Sequence, residues 1–188
     1  MRVSKQEDWR QKVGDAVVDI IAREGLGAAT VRRIAAEIGY STAIVSHYFS
    51  DKDEVLLSAY RSFAECASTR FDEVAGRDPA DLVGYLLSMN LLDPTDLALW
   101  RAYVAIWDKA LRNEVFATEL RSWLELGLAR IEIFIKKRNP DCAQPRKIAA
   151  RLLALIQGIS IQMLFGLELW SPQEVRRVME TEVEALLG

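Results

Sequence analysis

The chemically distinctive part of this sequence lies between Thr30 and Asp53, where hydroxyl, imidazole, phenol and amine groups follow short apolar repeats. Each of the two repeats is preceded by a hydroxyl residue, and Gly39 separates them. A hydroxyl residue before an apolar repeat predicts a helix start, and a glycine after the repeat predicts its end. The pattern therefore predicts two short helices joined by a tight turn, a helix-turn-helix at about residues 31–50.

The second of these helices, at about residues 42–49, has two faces of different chemistry. Val45 and Phe49 are its inward positions, whereas the outward positions are small or polar: Thr42, Ala43, Ser46 and His47. In a helix-turn-helix the second helix enters the major groove, where such side chains can reach base edges and phosphates. The same pattern also fits an ordinary helix hairpin with a solvated face, and the pattern alone does not decide between these interpretations.

The residues of this segment resemble the DNA-binding domain of the TetR family. The shared positions are Ile34-Ala35, Gly39, Ser41, Tyr48-Phe49 and Lys52. The run STAIVSHYF at residues 41–49 is similar to the recognition helix of the choline-responsive repressors of the glycine-betaine pathway. A looser similarity to that subgroup extends to residues 105–111 and 153–158. Two positions depart from the pattern, because Ala43 replaces a frequent glycine and Tyr40 a frequent small aliphatic residue.

The resemblance implies a double-stranded DNA operator as partner and assigns roles to side chains. The implied phosphate contacts are Thr30, Thr42, Tyr48 and Lys52, and the implied base-facing residues are Ala43, Ser46 and His47. Ser41 belongs to the same motif and is a further candidate. Arg32 and Arg33 lie on the polar side of the first helix; we count Arg32 as a candidate for the DNA backbone, although a solvated role explains either arginine equally well.

Charge and composition restrict the function classes only weakly. The chain has 188 residues, 51% of them hydrophobic, and a net charge of −3; residues 1–52 carry +1 and the remainder −4. This distribution favours DNA slightly but would not by itself suggest it. With one histidine, two separated cysteines and no glycine-rich phosphate loop, the sequence offers nothing from which to build an active site. We expect no enzyme, no cofactor and no metal.

Every clear periodicity is helical, so the predicted fold is all-α. We expect helices at about residues 9–24, 31–38, 42–49, 51–74, 80–92, 94–111, 113–138, 145–169 and 172–187. The predicted organisation is a three-helix DNA-binding domain at residues 1–52, followed at residues 53–188 by a helical bundle for effector binding and dimerisation.

The helix predicted at residues 145–169 carries two apolar stripes, one at Ile148, Leu152, Leu155, Ile159 and Met163, the other at Ala149, Leu153, Ile156, Ile161, Leu164 and Phe165. A helix that is apolar on most sides must be covered on most sides. We therefore expect a homodimer held by this helix and the one at residues 172–187. The uncharged stretch is too short and polar for a membrane span, and the charged N-terminus shows no signal peptide, so we expect a cytoplasmic protein without a membrane partner.

Aromatic residues concentrate in the middle of the chain, and the candidates for an effector site are Tyr85, Trp100, Tyr103, Trp107 and Trp123. Aromatic rings can hold a quaternary ammonium group by cation–π attraction, but the same rings also serve as ordinary core. The resemblance implies a repressor released from its operator by a small-molecule effector, with a choline-like ligand first and an uncharged aromatic or lipid-like metabolite second. The alternative is a helical protein-interaction module that does not bind DNA.

Overall fold

The computed structural model describes residues 5–49, 51–89, 94–166 and 168–188, without the side chains of residues 5–8, 52, 59, 62, 63, 66, 94–99 and 102. All regular structure in these ranges is helical, which confirms the all-α prediction. The helices are α1 (Lys5–Glu24), α2 (Val31–Ile38), α3 (Thr42–Tyr48), α4 (Lys52–Arg77), α5 (Leu82–Ser88), α6 (Pro94–Ala110), α7 (Glu114–Arg138), α8 (Pro145–Leu164) and α9 (Pro172–Leu187), with a 3₁₀ turn at Leu26–Ala28.

The described residues fall into two compact units. The first contains the chain up to Cys66 together with Leu97–Thr118, and the second contains Ala67–Asp96 and Glu119–Gly188. Helix α4 therefore contributes residues to both units. The boundary at Cys66 differs from the functional division at residue 52, which stays a prediction.

In the first unit, α1, α2 and α3 bury their apolar faces. The buried residues are Val13, Val17, Ile20 and Ile21 from α1, Ile34, Ala35 and Ile38 from α2, and Val45 and Phe49 from α3 and its C-cap. Their spacing matches the predicted faces. Trp9, placed on the same face from the sequence, is only half-buried.

Local hydrogen bonds set the limits of the two short helices. The Thr30 hydroxyl oxygen accepts from the backbone N–H of Arg33 at 3.2 Å, and the Ser41 hydroxyl oxygen accepts from that of Ile44 at 3.4 Å. Gly39 ends α2 with φ 74° and ψ 32°, the left-handed conformation. These N-caps satisfy backbone donors that have no partner inside the helix, and the glycine turns the chain without a steric penalty.

The second unit is centred on α5, α8 and α9. Its core includes Leu82 and Tyr85 of α5, together with a row on α9 spaced by four residues: Val175, Met179, Val183 and Leu187. Helix α9 begins as predicted, with Pro172 in its first turn and the Ser171 hydroxyl accepting from the backbone N–H of Glu174.

Two predicted helices are shorter in the structure. Helix α8 ends at Leu164 instead of residue 169, because Gly166 takes a left-handed conformation with φ 72°. Helix α5 begins at Leu82 instead of residue 80, because the Asp81 carboxylate accepts from the backbone N–H of Gly84 and caps it there. The predicted end of α5 at residues 90–92 lies outside the described residues.

The inward face of α8 draws on both predicted apolar stripes. Leu152 and Ile159 come from one stripe, Leu153 and Ile156 from the other, and all four are buried in the same core. The opposite face includes Ala150 and Ala154, and beyond the helix end Phe165 is 83% exposed. By length and composition α8 is the one described helix that could cross a membrane, with 33% of its apolar window buried; burial in the core accounts for that part of its apolar surface.

Replacing Gly39 with alanine tests the turn. No atom lies within 4 Å of a Cβ built on Gly39, so the expected decrease of roughly 1–2 kcal/mol in unfolding free energy comes from backbone strain alone. Gly76 provides the matched control, since its Cβ would also meet no atom but its backbone is helical. We expect Gly76→Ala to keep or raise stability. Equal urea midpoints for both variants would contradict this explanation of the turn.

Candidate nucleic-acid interface and effector site

Helix α3 presents the outward face predicted from the sequence. Thr42, Ala43, Ser46 and His47 are exposed, whereas Val45 is fully buried. Tyr48 is half-buried at the end of the helix, and its ring lies edge-on to that of His47 with centroids 5.2 Å apart. The helix therefore exposes hydroxyl, methyl and imidazole groups, which can contact the floor and walls of a DNA groove.

Thr30 and Ser41 combine a capping role with exposure to solvent. Each hydroxyl oxygen accepts a hydrogen bond from the backbone, and each hydroxyl group still has a proton to donate. Both residues can thus cap a helix and donate to a phosphate. The Lys52 side chain, the remaining candidate for a phosphate contact, lies outside the described residues, although its backbone begins α4.

The structure separates the roles of the two neighbouring arginines. Arg33 forms ion pairs with Glu24 at 2.7 Å and with Glu37 at 2.6 Å, and Arg23 pairs with Glu37 at 2.5 Å. Arg32 is exposed and, among the described residues, has no carboxylate within ion-pair distance. Arg33 therefore holds α2 to the end of α1, while Arg32 is available for an external anion.

This ion-pair cluster keeps its carboxylates charged. Hydrogen bonds from Arg33 lower the pKa of Glu24, and hydrogen bonds from Arg33 and then Arg23 lower the pKa of Glu37. Hydrogen bonds to Glu24 and then Glu37 raise the pKa of Arg33. The cationic charge of Arg23 and Arg33 is thus locally balanced and adds little to any attraction for DNA.

Two residues of α1 that sequence analysis did not assign to the site lie beside α3. The Trp9 ring contacts Tyr40 edge-on at 4.7 Å and Tyr48 at 5.4 Å between centroids. The Lys12 amine lies over the Tyr40 ring, 4.8 Å from its centroid. The unusual tyrosine at position 40 was the available signal, because a large aromatic ring at the turn needs a packing partner.

The predicted effector residues divide between the two units. Trp100, Tyr103 and Trp107 come together in the first unit, with Tyr103 edge-on to both tryptophans at 5.4 and 5.0 Å. Sequence analysis missed Tyr60 of α4, whose ring stacks on Tyr103 at 5.8 Å. Tyr103 is only 6% exposed, and this burial raises the pKa of its phenol.

Tyr85 and Trp123 belong to the second unit. Tyr85 stacks on Phe134 with ring centroids 5.0 Å apart, and burial raises the pKa of its phenol to about 12, although the nearby Arg130 partly opposes this shift. The Trp123 indole N–H donates to Glu119 at 3.4 Å. The five predicted residues therefore do not form one cluster within either unit.

A polar contact joins the start of α4 to the corner between α6 and α7. The Lys109 amine lies 2.5 Å from Asp53, whose other carboxylate oxygen accepts from the Asn113 amide at 3.3 Å. Asp53 is the residue after Lys52, so α6 is tied directly to the end of the DNA-binding segment. In the described part of the chain, no three His, Cys, Asp or Glu side chains lie close enough together to bind a metal ion.

Comparison with known families identifies both parts of the chain. Residues 15–59 match the bacterial regulatory proteins of the tetR family, and residues 80–188 match the C-terminal domain of BetI-type transcriptional repressors. The HTH-type transcriptional regulator BetI of Paraburkholderia phytofirmans is 25% identical over all of this chain and 97% of its own length. The regulator PksA of Bacillus subtilis is 26% identical over 96% of this chain and 90% of its own.

Solved structures share the fold. A transcriptional regulator from Rhodococcus superposes with a TM-score of 0.84 at 24% identity, over 95% of each chain. A regulator from Saccharomonospora viridis, solved in complex with choline, gives a TM-score of 0.73 at 24% identity, over 94% of this chain and 96% of its own.

The contrast between Arg32 and Arg33 gives a test of the interface. Arg32→Gln should weaken binding to duplex DNA and reduce the slope of log affinity against log salt by about 0.9 for each subunit, because the substitution removes one phosphate contact. Arg33→Gln should leave the slope unchanged, since Arg33 is already balanced by two carboxylates. Fluorescence anisotropy over a salt series measures both. An equal reduction of slope in the two variants would show that the ion pairs do not hold Arg33 away from DNA.

Arg33→Gln should instead lower stability in a pH-dependent way. Arg33 holds the pKa of Glu24 and Glu37 below the ordinary value of 4.5. The stabilisation is therefore present above that pH and is lost as the pH falls through the lowered values. Melting curves of the parent and Arg33→Gln proteins should differ near neutral pH and converge in acid, whereas Arg32→Gln should follow the parent throughout.

Proposed function

The chain belongs to the TetR family of bacterial regulatory proteins and is a DNA-binding transcriptional repressor with a BetI-type C-terminal domain, and we propose that α3 reads its operator and that a choline-like cation releases it. The exposed face of α3, formed by Thr42, Ala43, Ser46 and His47, carries the first half of this proposal. The match to a DNA-binding family also decides against the alternative of a protein-interaction module.

Within α3 the proposed roles follow from position. Ala43, Ser46 and His47 stand on the outward face and are placed against base edges, where their small or polar groups suit direct contact. Thr42 begins that face and Tyr48 ends it, so these two are placed on the flanking phosphates. Thr30, Arg32, Ser41 and Lys52 complete the backbone contacts, which orient the protein but carry no sequence information.

The repressor acts as a homodimer on its operator and responds to a small molecule. We place the dimer interface on the outer face of α8 and the adjoining edge of α9. Ala150, Ala154 and Gly158 repeat every four residues on that face and allow close helix approach, and the exposed Phe165 adds apolar area. Two-fold symmetry would then present two copies of α3 to half-sites about one helical turn apart.

The relatives are transcription regulators of bacteria. We propose that this protein likewise works in the cytoplasm, where operator DNA lies, and that it carries no enzymatic activity. Its function then depends on the equilibrium between bound and free operator, and the effector acts by shifting that equilibrium.

Substitutions in α3 and at the start of α4 should separate the two kinds of contact. Lys52→Ala should weaken binding to every duplex alike and lower the salt slope by about two units per dimer. Ser46→Ala and His47→Ala should instead change sequence preference, since removing each base contact costs about 1–3 kcal/mol. Selection of bound fragments from a random duplex pool, followed by salt titrations, distinguishes them. An unchanged sequence preference in both α3 variants would refute the assignment of α3 as the reader.

For the effector, the aromatic group of the first unit suits a quaternary ammonium better than Tyr85 does. The Arg130 guanidinium lies 5.1 Å from the Phe71 ring centroid and partly opposes the rise that burial causes in the pKa of the Tyr85 phenol, so a cation near Tyr85 would meet like charge. Trp107 is half-buried, whereas Trp100 and Tyr103 are buried. Indole is the best aromatic partner for a cation. We therefore place the choline-like ligand against Trp107, with Trp100 and Tyr103 behind it.

The route from that site to DNA runs along α6. Trp107 and Lys109 stand two residues apart on this helix, and Lys109 pairs with Asp53 in the first turn of α4. A ligand that moves α6 therefore changes the contact that fixes the start of α4, next to Lys52. The ligand can shift operator binding only by its difference in affinity for the DNA-competent and incompetent states.

Choline binding is tested with a matched pair of ligands. Choline should bind the parent protein and lower its affinity for the selected operator fragments, whereas the uncharged carbon isostere 3,3-dimethylbutan-1-ol should bind far more weakly. A desolvated cation–π contact is worth about 2 kcal/mol, which corresponds to roughly 30-fold in affinity. Calorimetry measures binding and fluorescence anisotropy measures the effect on DNA.

The control variants distinguish a specific site from general binding. Trp107→Leu should abolish the advantage of choline over its isostere, and Trp170→Leu, which removes an indole from the second unit, should retain it. If choline and the isostere bind the parent equally, the aromatic group is core packing and the effector belongs to another chemical class. DNA binding by α3 is unaffected by that outcome.

A further inference from the structure

We propose that Lys12 of α1, held over the ring of Tyr40, forms a phosphate-binding site beside the recognition helix. This inference rests on the proposed function, because it takes α3 as the helix in the groove. It assigns a DNA contact to α1, a helix that otherwise contributes to the core of the first unit and to the ion pairs with α2.

The geometry places Lys12 at the edge of the DNA-facing surface. Tyr40 immediately precedes Ser41, the N-cap of α3, and is 45% exposed. Its ring carries the Lys12 amine at 4.8 Å from the centroid. Lys12 itself is exposed, so the amine has one side against the ring and another toward solvent. A phosphate that flanks the first turn of α3 is within the reach of such a group.

The Trp9 ring fixes this arrangement to α3. Its ring centroid lies 4.7 Å from that of Tyr40 and 5.4 Å from that of Tyr48. Tyr40 precedes the N-cap of α3, and Tyr48 is the last residue of the helix. The buried indole N–H of Trp9 has no hydrogen-bond partner among the described residues, so Trp9 contributes its ring surfaces alone. Tyr40 therefore lies on the same side of α3 as Tyr48, which is itself placed on a phosphate.

The Tyr40 ring also reduces the conformational entropy that Lys12 loses when it binds a phosphate. A free lysine side chain loses up to about 2 kcal/mol of rotamer entropy when it is ordered. Contact with the Tyr40 ring restricts the amine before DNA arrives, and cation–π attraction at an exposed site contributes about 0.5–1 kcal/mol toward holding it there. The amine keeps its charge and its donors, which are what a phosphate requires.

Because neighbouring cations are paired with carboxylates, Lys12 matters more for phosphate binding than the number of cations in the first unit indicates. Arg23 and Arg33 are neutralised by Glu24 and Glu37. Lys12, by contrast, lies against the turn before α3 and forms no ion pair among the described residues. Its amine is therefore available to an external anion.

The test uses a random-sequence duplex of about three helical turns, because a phosphate contact does not depend on sequence. Lys12→Gln should lower the salt slope by about 1.8 per dimer, which at 0.1 M salt corresponds to roughly 60-fold weaker binding. Tyr40→Phe keeps the ring and should bind like the parent. Tyr40→Leu removes the ring and should move the slope toward that of Lys12→Gln, and the double variant should bind no more weakly than Lys12→Gln alone.

Lys136→Gln, which removes an exposed lysine from the second unit, is the control for net charge and should keep the parent slope. Circular dichroism melting confirms that each variant is folded at the assay temperature; should Tyr40→Leu unfold, the comparison of Lys12→Gln with Lys136→Gln still decides. A parent slope retained in Lys12→Gln overturns the inference and leaves α3 as the reader. A parent protein without salt-dependent duplex binding would overturn the proposed function itself.

Discussion

The burial of Val45 and Phe49 is the constraint on which the DNA-binding surface depends. Helix α3 has only seven residues, whereas an isolated helix needs about 12–15 residues to be even marginally stable in water. Its helical state and its direction therefore come from these two anchors and from the Ser41 cap. Because every outward residue of α3 takes its position from the same two anchors, the packing of the buried side of the helix determines how its exposed side contacts DNA.

Charge pairing within the first unit limits the electrostatic attraction that this protein of negative net charge offers to DNA. The ion pairs among Arg23, Arg33, Glu24 and Glu37 use two of the cations to hold α1 against α2. Affinity for phosphate then depends on a few cations at defined places. A small number of counterions released per subunit gives a moderate salt dependence, so more of the binding free energy must come from fitted contacts along α3.

Sequence reasoning succeeded where structure is decided locally and failed where it depends on which faces meet. The caps at Thr30 and Ser41, the stop at Gly39 and the two faces of α3 follow from neighbouring residues, and all were predicted. The choice between Arg32 and Arg33 requires knowing where Glu24 lies, which is set by the packing of α1 on α2. The five central aromatic residues likewise share a composition but not a location, since Tyr85 and Trp107 pack in different units.

The separate positions of α3 and of the aromatic group on α6 determine how an effector and an operator can influence each other. Helix α6 carries the aromatic group at Trp107 and the Lys109 amine that pairs with Asp53, so one helix contacts both the proposed ligand and the start of α4. Substitutions that change the ligand contacts need not alter α3, because its anchors Val45 and Phe49 are different residues, buried in the first unit. Substitutions at Asp53 or Lys109 would change coupling without removing either site. Ligand specificity and operator specificity can therefore diverge independently, provided that the contact between α6 and α4 is retained.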